Sequence, residues 1–85
     1  MTLADLLAAE PRLTELAQAA RVCPPGDWAA FHCTVHVPLR RIVGWFADED
    51  TQPDARLYSP HAYEIAYRAL VTAWELASER ATQDT

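Results

Sequence analysis

The side chains that could bind a metal ion in this 85-residue sequence are two cysteines and three histidines. Thiols and imidazoles are the donors of tetrahedral zinc sites. The candidate ligands are Cys23, Cys33, His36 and His61, and His32 is a further possible ligand. On an α-helix, Cys33 and His36 would share a face because they are three residues apart. The cysteines do not form the closely spaced pair of the common zinc-binding patterns. We therefore predict no metal and no other cofactor, and expect Cys33 to be a small buried apolar side chain.

The sequence carries no recognisable catalytic motif. Neither serine lies in a nucleophile elbow, and two glycines eighteen residues apart cannot form a phosphate-binding loop. A disulfide between Cys23 and Cys33 is geometrically conceivable across the turn at 24–26. Free thiols are the expectation, however, because we expect a cytoplasmic protein without a leader. We predict that the protein is not an enzyme.

Charge is unevenly spread along this acidic chain, whose formal net charge is −5. The stretch between Asp27 and Asp48 has no acidic residue and contains Arg40 and Arg41. A short helix, a turn and a second helix over residues 28–47 would resemble a helix-turn-helix, with both arginines near DNA. Two arginines are a sparse phosphate footprint, and the net charge repels DNA. A DNA-binding regulator is therefore our alternative function.

An acidic loop is predicted to follow the basic stretch. Its carboxylates would meet a basic surface of a partner protein and speed association with that partner. They belong to Asp48, Glu49, Asp50 and Asp54. The corresponding partner would be a basic protein that handles nucleic acid.

Length and composition predict a single globular domain over residues 1–85. Half of the residues are hydrophobic, and no apolar run approaches the ~20 residues of a membrane span. We therefore expect a soluble, cytoplasmic protein with no membrane contact. The sequence has sixteen alanines but no lysine or asparagine, a bias that suggests a GC-rich bacterial or phage genome.

These candidate residues must be positioned by helices. We predict an all-α bundle of three to four helices, approximately over 3–21, 28–34, 38–47 and 60–80, with the first kinked or broken at Pro11 and the chain frayed after residue 80. The break is favoured near Glu10, because an interior proline costs ~3 kcal/mol. Ser59 and Pro60 are a strong helix-start signal.

Residues 31–37 alternate between apolar and polar side chains, a pattern typical of a strand. A single strand would leave its backbone groups unpaired. We therefore predict a helix to about Thr34 followed by a turn.

The last helix has an apolar arc about twice the ~100° of an ordinary surface helix. It must be covered on two sides, either by the other helices or by a second molecule. Tryptophan and tyrosine are common at interfaces, and the candidates are Trp45, Tyr63, Tyr67, Leu70 and Trp74. We predict a non-catalytic protein that binds another protein or itself, as a homodimer, in a regulatory, inhibitory or assembly role.

Overall fold

Helices surround one long C-terminal helix in the computed structural model, which describes residues 2–44 and 57–83. In chain order they are α1 (Leu3–Ala9), α2 (Arg12–Val22), α3 (Trp28–Phe31), a π-helical turn (His32–His36), α4 (Val37–Ile42) and α5 (Pro60–Gln83). The all-α prediction is therefore confirmed. No helix of the described residues is long and apolar enough to cross a membrane.

The N-terminal helices are separated at the predicted place. The Thr2 hydroxyl accepts the Asp5 N–H at 3.2 Å, and the Asp5 carboxylate accepts the Thr2 N–H at 3.0 Å, which is a capping box. Hydrogen bonds from the backbone N–H and the hydroxyl of Thr2 to the carboxylate lower the pKa of Asp5. Glu10 leaves the helical conformation, as a residue before proline tends to do, and α2 begins after Pro11.

Glu10 is a buried charged residue at this junction, with 1% of its surface exposed. Its two carboxylate oxygens accept hydrogen bonds from Arg12 Nε at 2.7 Å and from Arg12 Nη2 at 2.8 Å. The backbone N–H of Arg12 also donates to Glu10 Oε1 at 3.3 Å. One carboxylate thus binds a guanidinium in a bidentate manner and satisfies a free donor at the start of α2.

The turn predicted at 35–37 does not exist, because α3, the π-turn and α4 follow one another without interruption from Trp28 to Ile42. In a regular α-helix the ring of Pro38 would clash with the carbonyl group of Thr34. The chain instead forms a wider turn, in which the N–H of Val37 donates to the carbonyl of His32. The helix predicted over 38–47 also ends earlier, at Ile42, and residues 45–47 lie outside the described residues.

Helix α5 is covered on two sides by the chain itself. α1 and α2 pack along one side, and the aromatic rings of α3 and the π-turn lie against another. The buried core contributed by the other elements includes Leu6, Leu13, Leu16, Ala20, Phe31, Val35, Leu39, Ile42 and Val43. The broad apolar arc of this helix is therefore largely explained by contacts within one chain.

A short parallel strand pair lies beside the start of α5. β1 (Val43–Gly44) pairs with β2 (Leu57–Tyr58), and the N–H of Ser59 donates to the carbonyl of Gly44 at 2.8 Å. The Ser59 hydroxyl accepts the N–H of Ala62 at 3.3 Å, so the predicted N-cap of α5 is confirmed.

Candidate functional site

Most of the predicted aromatic interface is part of the hydrophobic core. Tyr63, Leu70 and Trp74 are 6%, 3% and 3% exposed, and Tyr67 is half-buried. The ring of Trp74 stacks on Phe31 with centroids 4.6 Å apart, and its indole N–H donates to the carbonyl of Pro24 at 3.1 Å. These side chains therefore lie against the chain's own helices rather than on a free surface.

Several predicted site residues lie outside the described residues. They are Trp45 of the interface and the acidic group Asp48, Glu49, Asp50 and Asp54. The acidic-loop interaction stays a prediction.

The two arginines of the predicted DNA-binding motif lie on the last turn of α4, where both are exposed. A helix-turn-helix needs a corner between its two helices. Residues 28–42 instead form one continuous helical segment, so Arg40 and Arg41 do not begin a separate recognition helix.

The four candidate metal ligands are not brought together. Cys23 is buried and Cys33 is exposed, the reverse of what we expected for Cys33, and both thiols are free. Cys23 Sγ lies 3.1 Å from the hydroxyl of Thr34, which itself donates to the carbonyl of Ala30 at 2.7 Å, so the thiol is the donor. Within residues 2–44 and 57–83, no three His, Cys, Asp or Glu side chains form a group that could hold a metal ion.

The π-turn instead joins two histidines to a tyrosine of α5. His32 Nδ1 lies 3.1 Å from His36 Nδ1, and His36 Nε2 is hydrogen-bonded to the hydroxyl of Tyr63. The ring of Tyr67 packs on His36 with centroids 5.1 Å apart, and it is stacked on Tyr63. We call these four residues the His–Tyr cluster.

The geometry of the π-turn explains why His32, and not Cys33, is the neighbour of His36. A π-helix has about 4.4 residues per turn, so residues four apart nearly align and residues three apart do not. Two histidines four residues apart, followed by a proline two residues later, are the sequence signal for this arrangement.

Burial and nearby positive charge shift the pKa values of two members of the His–Tyr cluster, His36 and Tyr63. Desolvation lowers the pKa of His36 from its ordinary value of 6.5, and the charges of His32 and Arg40 lower it further. Desolvation also raises the pKa of Tyr63 to about 12. At neutral pH both His36 and Tyr63 are therefore uncharged.

We expect the free energy of unfolding to fall as the pH is lowered through 6.5 towards the depressed pKa of His36. Over this range the unfolded chain binds more protons than the folded one, so stability rises with pH. Chemical denaturation at a series of pH values measures this slope. His36→Gln should flatten it. Equal slopes for the parent and His36→Gln would contradict the assignment.

A second surface feature is an open groove of about 710 Å³ along the C-terminal half of α5. It is lined by Ala69, Ala73, Ala77 and Ala81, by Thr72 and Leu76, and by Arg21 of α2 and Arg80. We call this surface the alanine groove. Leu76 is 54% exposed there. A smaller apolar pocket shares Arg21, Ala69 and Ala73 with it and extends to Leu3 and Leu7 of α1.

Comparison of the chain with protein-family models, with curated proteins and with solved structures finds no match.

Proposed function

We propose that the protein is a non-catalytic binding module that holds an acidic amphipathic helix of a partner protein in the alanine groove. The observation that carries this proposal is the composition of the groove: small apolar residues in helical spacing, with arginines as the only charged residues among the described residues that line it. Such a module suits a regulatory, inhibitory or assembly role.

The dimensions of the groove suit a helix. Ala69 to Ala81 extends over about 18 Å at 1.5 Å per residue, which corresponds to about three turns of a partner helix. Helix axes pack 8–10 Å apart depending on the side chains between them, and alanines permit the closer distances. Apolar side chains of the partner at helical spacing would then contact Leu76 and the alanines.

The local charge of the groove favours an acidic segment of a partner over the same groove of a second copy. Arg21 and Arg80 both line the groove, and neither forms an ion pair with another described residue. In a two-fold dimer each copy would bring the same two arginines to the shared seam, and within residues 2–44 and 57–83 no lining residue is acidic. Carboxylates on a different partner would complement these charges and raise the association rate.

Site-specific photo-crosslinking tests this proposal. A photoreactive amino acid at position 76, expressed in the cells that naturally produce the protein, should crosslink to a partner whose attached segment is an acidic, amphipathic helix. The same amino acid at position 18, which is exposed and outside the groove lining, is the control. Crosslinks to a second copy or to a basic segment, or no crosslink at position 76, would overturn the proposal.

Charge reversal in the groove should weaken this interaction. We expect Arg80→Glu to reduce affinity about fivefold, which corresponds to about 1 kcal/mol for an exposed charge. The matched control is Arg68→Glu on the same helix, because Arg68 pairs with Glu64 outside the groove. Crosslinking yield against salt concentration measures both variants. An equal loss in the two would show that the groove charges have no specific role.

A further inference from the structure

The two imidazoles of the π-turn have the nitrogen-to-nitrogen separation of a pair of metal ligands. Metal–nitrogen bonds of 2.0–2.1 Å that meet at angles from 90° to 109° separate the two nitrogens by about 2.9–3.4 Å. The observed separation between His32 Nδ1 and His36 Nδ1 is 3.1 Å. We infer that His32 and His36 chelate one divalent transition-metal ion through their Nδ1 atoms.

The coordination step balances without an additional reactant. In the described structure one proton lies between the two Nδ1 atoms as a hydrogen bond. When the ion binds, that proton is transferred through water to Nε2 of the same ring, and both Nδ1 lone pairs form bonds to the metal. The ion loses two of its bound waters, and no electron is transferred.

Tyr63 supports this arrangement from α5. A metal-bound histidine typically donates its other N–H to an oxygen, which fixes the ring and its tautomer. His36 Nε2 already has the Tyr63 hydroxyl as its partner, and Tyr63 is 6% exposed. The orientation of His36 is therefore set by the core of the bundle.

The ligands restrict the kind of ion. Imidazole nitrogen suits zinc, copper and nickel, and the order of affinities places Cu²⁺ above Zn²⁺ and Ni²⁺. Hard cations such as Mg²⁺ prefer oxygen ligands, and the positive charge of Arg40 near His36 opposes an ion held mainly by charge. His32 is exposed, so water can complete the coordination shell.

Titration of the untagged chain with Zn²⁺, Cu²⁺ or Mg²⁺, followed by calorimetry and by the histidine NMR signals, tests the site. We expect one Zn²⁺ or Cu²⁺ ion per chain, no binding of Mg²⁺, and shifted signals for His32 and His36. Because protons compete for the same nitrogens, affinity should fall below neutral pH. No binding of Zn²⁺ or Cu²⁺, or signals that shift only at His61, would overturn the inference.

Three variants separate this site from adventitious binding. His32→Ala removes an exposed ligand and should abolish binding without unfolding the chain, which circular dichroism can verify. Tyr63→Phe should weaken binding about tenfold, since it removes the hydrogen bond to His36 and keeps the aromatic ring. His61→Ala is the matched control and should bind as the parent does. Binding retained in His32→Ala, or lost equally in His61→Ala, would rule out the chelate.

Discussion

Trp74→Ala is expected to lower the free energy of unfolding by about 3–5 kcal/mol, because it removes a buried indole ring at the contact between α3 and α5. Trp74 is 3% exposed and packs on Phe31 and on Trp28, with ring centroids 4.6 Å and 4.7 Å apart. A small domain has only about 5–15 kcal/mol of stability in total. The variant should therefore be largely destabilised, as measured by urea unfolding with circular dichroism.

Two further variants show which part of Trp74 is responsible. Trp74→Phe keeps an aromatic ring but loses the N–H that donates to Pro24, which should cost about 1 kcal/mol beyond the volume change. Leu76→Ala, at a 54% exposed position two residues later, should cost well under 1 kcal/mol. Comparable losses for Trp74→Ala and Leu76→Ala would mean that α3 does not cover α5.

Arg12→Ala should lower the free energy of unfolding by about 2 kcal/mol. Removal of one partner from a buried ion pair costs about 3–5 kcal/mol, because the other charge is left in an apolar environment. The Arg12 side chain is 36% exposed while Glu10 is 1% exposed, so water reduces the penalty but does not remove it. Urea unfolding at pH 7 measures the change.

The second ion pair of the described chain is the matched control. Arg68 and Glu64 are one helical turn apart and largely exposed, so Arg68→Ala should cost about 0.3–0.5 kcal/mol. A double-mutant cycle with Glu10→Gln then isolates the coupling between Glu10 and Arg12. If Arg12→Ala costs no more than Arg68→Ala, burial does not strengthen the first pair.

Features set by neighbouring residues were predictable from the sequence. The cap at Thr2, the break at Pro11 and the start of α5 at Ser59–Pro60 each depend on hydrogen bonds or sterics within four residues. The burial of Glu10 was not predicted, because it depends on how α1 and α2 meet in space.

The polarity of residues 31–37 alternates every two residues, as in a strand, but their burial does not follow that alternation. Phe31 and Val35 are buried, whereas Cys33 and Val37 of the same alternation are exposed. The burial repeats every four residues and continues at Leu39, which is the pattern of a helix. This packing overrides the usual preference of a residue before proline for an extended backbone.

The candidate site was only partly accessible to sequence reasoning. His36 was selected as a possible ligand, but its partner His32 and its hydrogen bond to Tyr63 follow from the wider π-turn. The aromatic residues of α5 were predicted to form an interface with another molecule, but Tyr63 and Trp74 are buried against the chain's own helices. Periodicity gives the size of an apolar arc but does not say which molecule covers it.

The π-turn also sets the rotational phase of the helix that contains it. Each residue of a π-turn rotates the chain about the helix axis by about 82°, compared with 100° in an α-helix. Over five residues the difference is about 90°, which is nearly the rotation of one residue. With this lag, Phe31, Val35 and Leu39 lie almost in line along the helix axis, and all three are buried. The single turn that contains both histidines thus also determines which side of α4 faces the core.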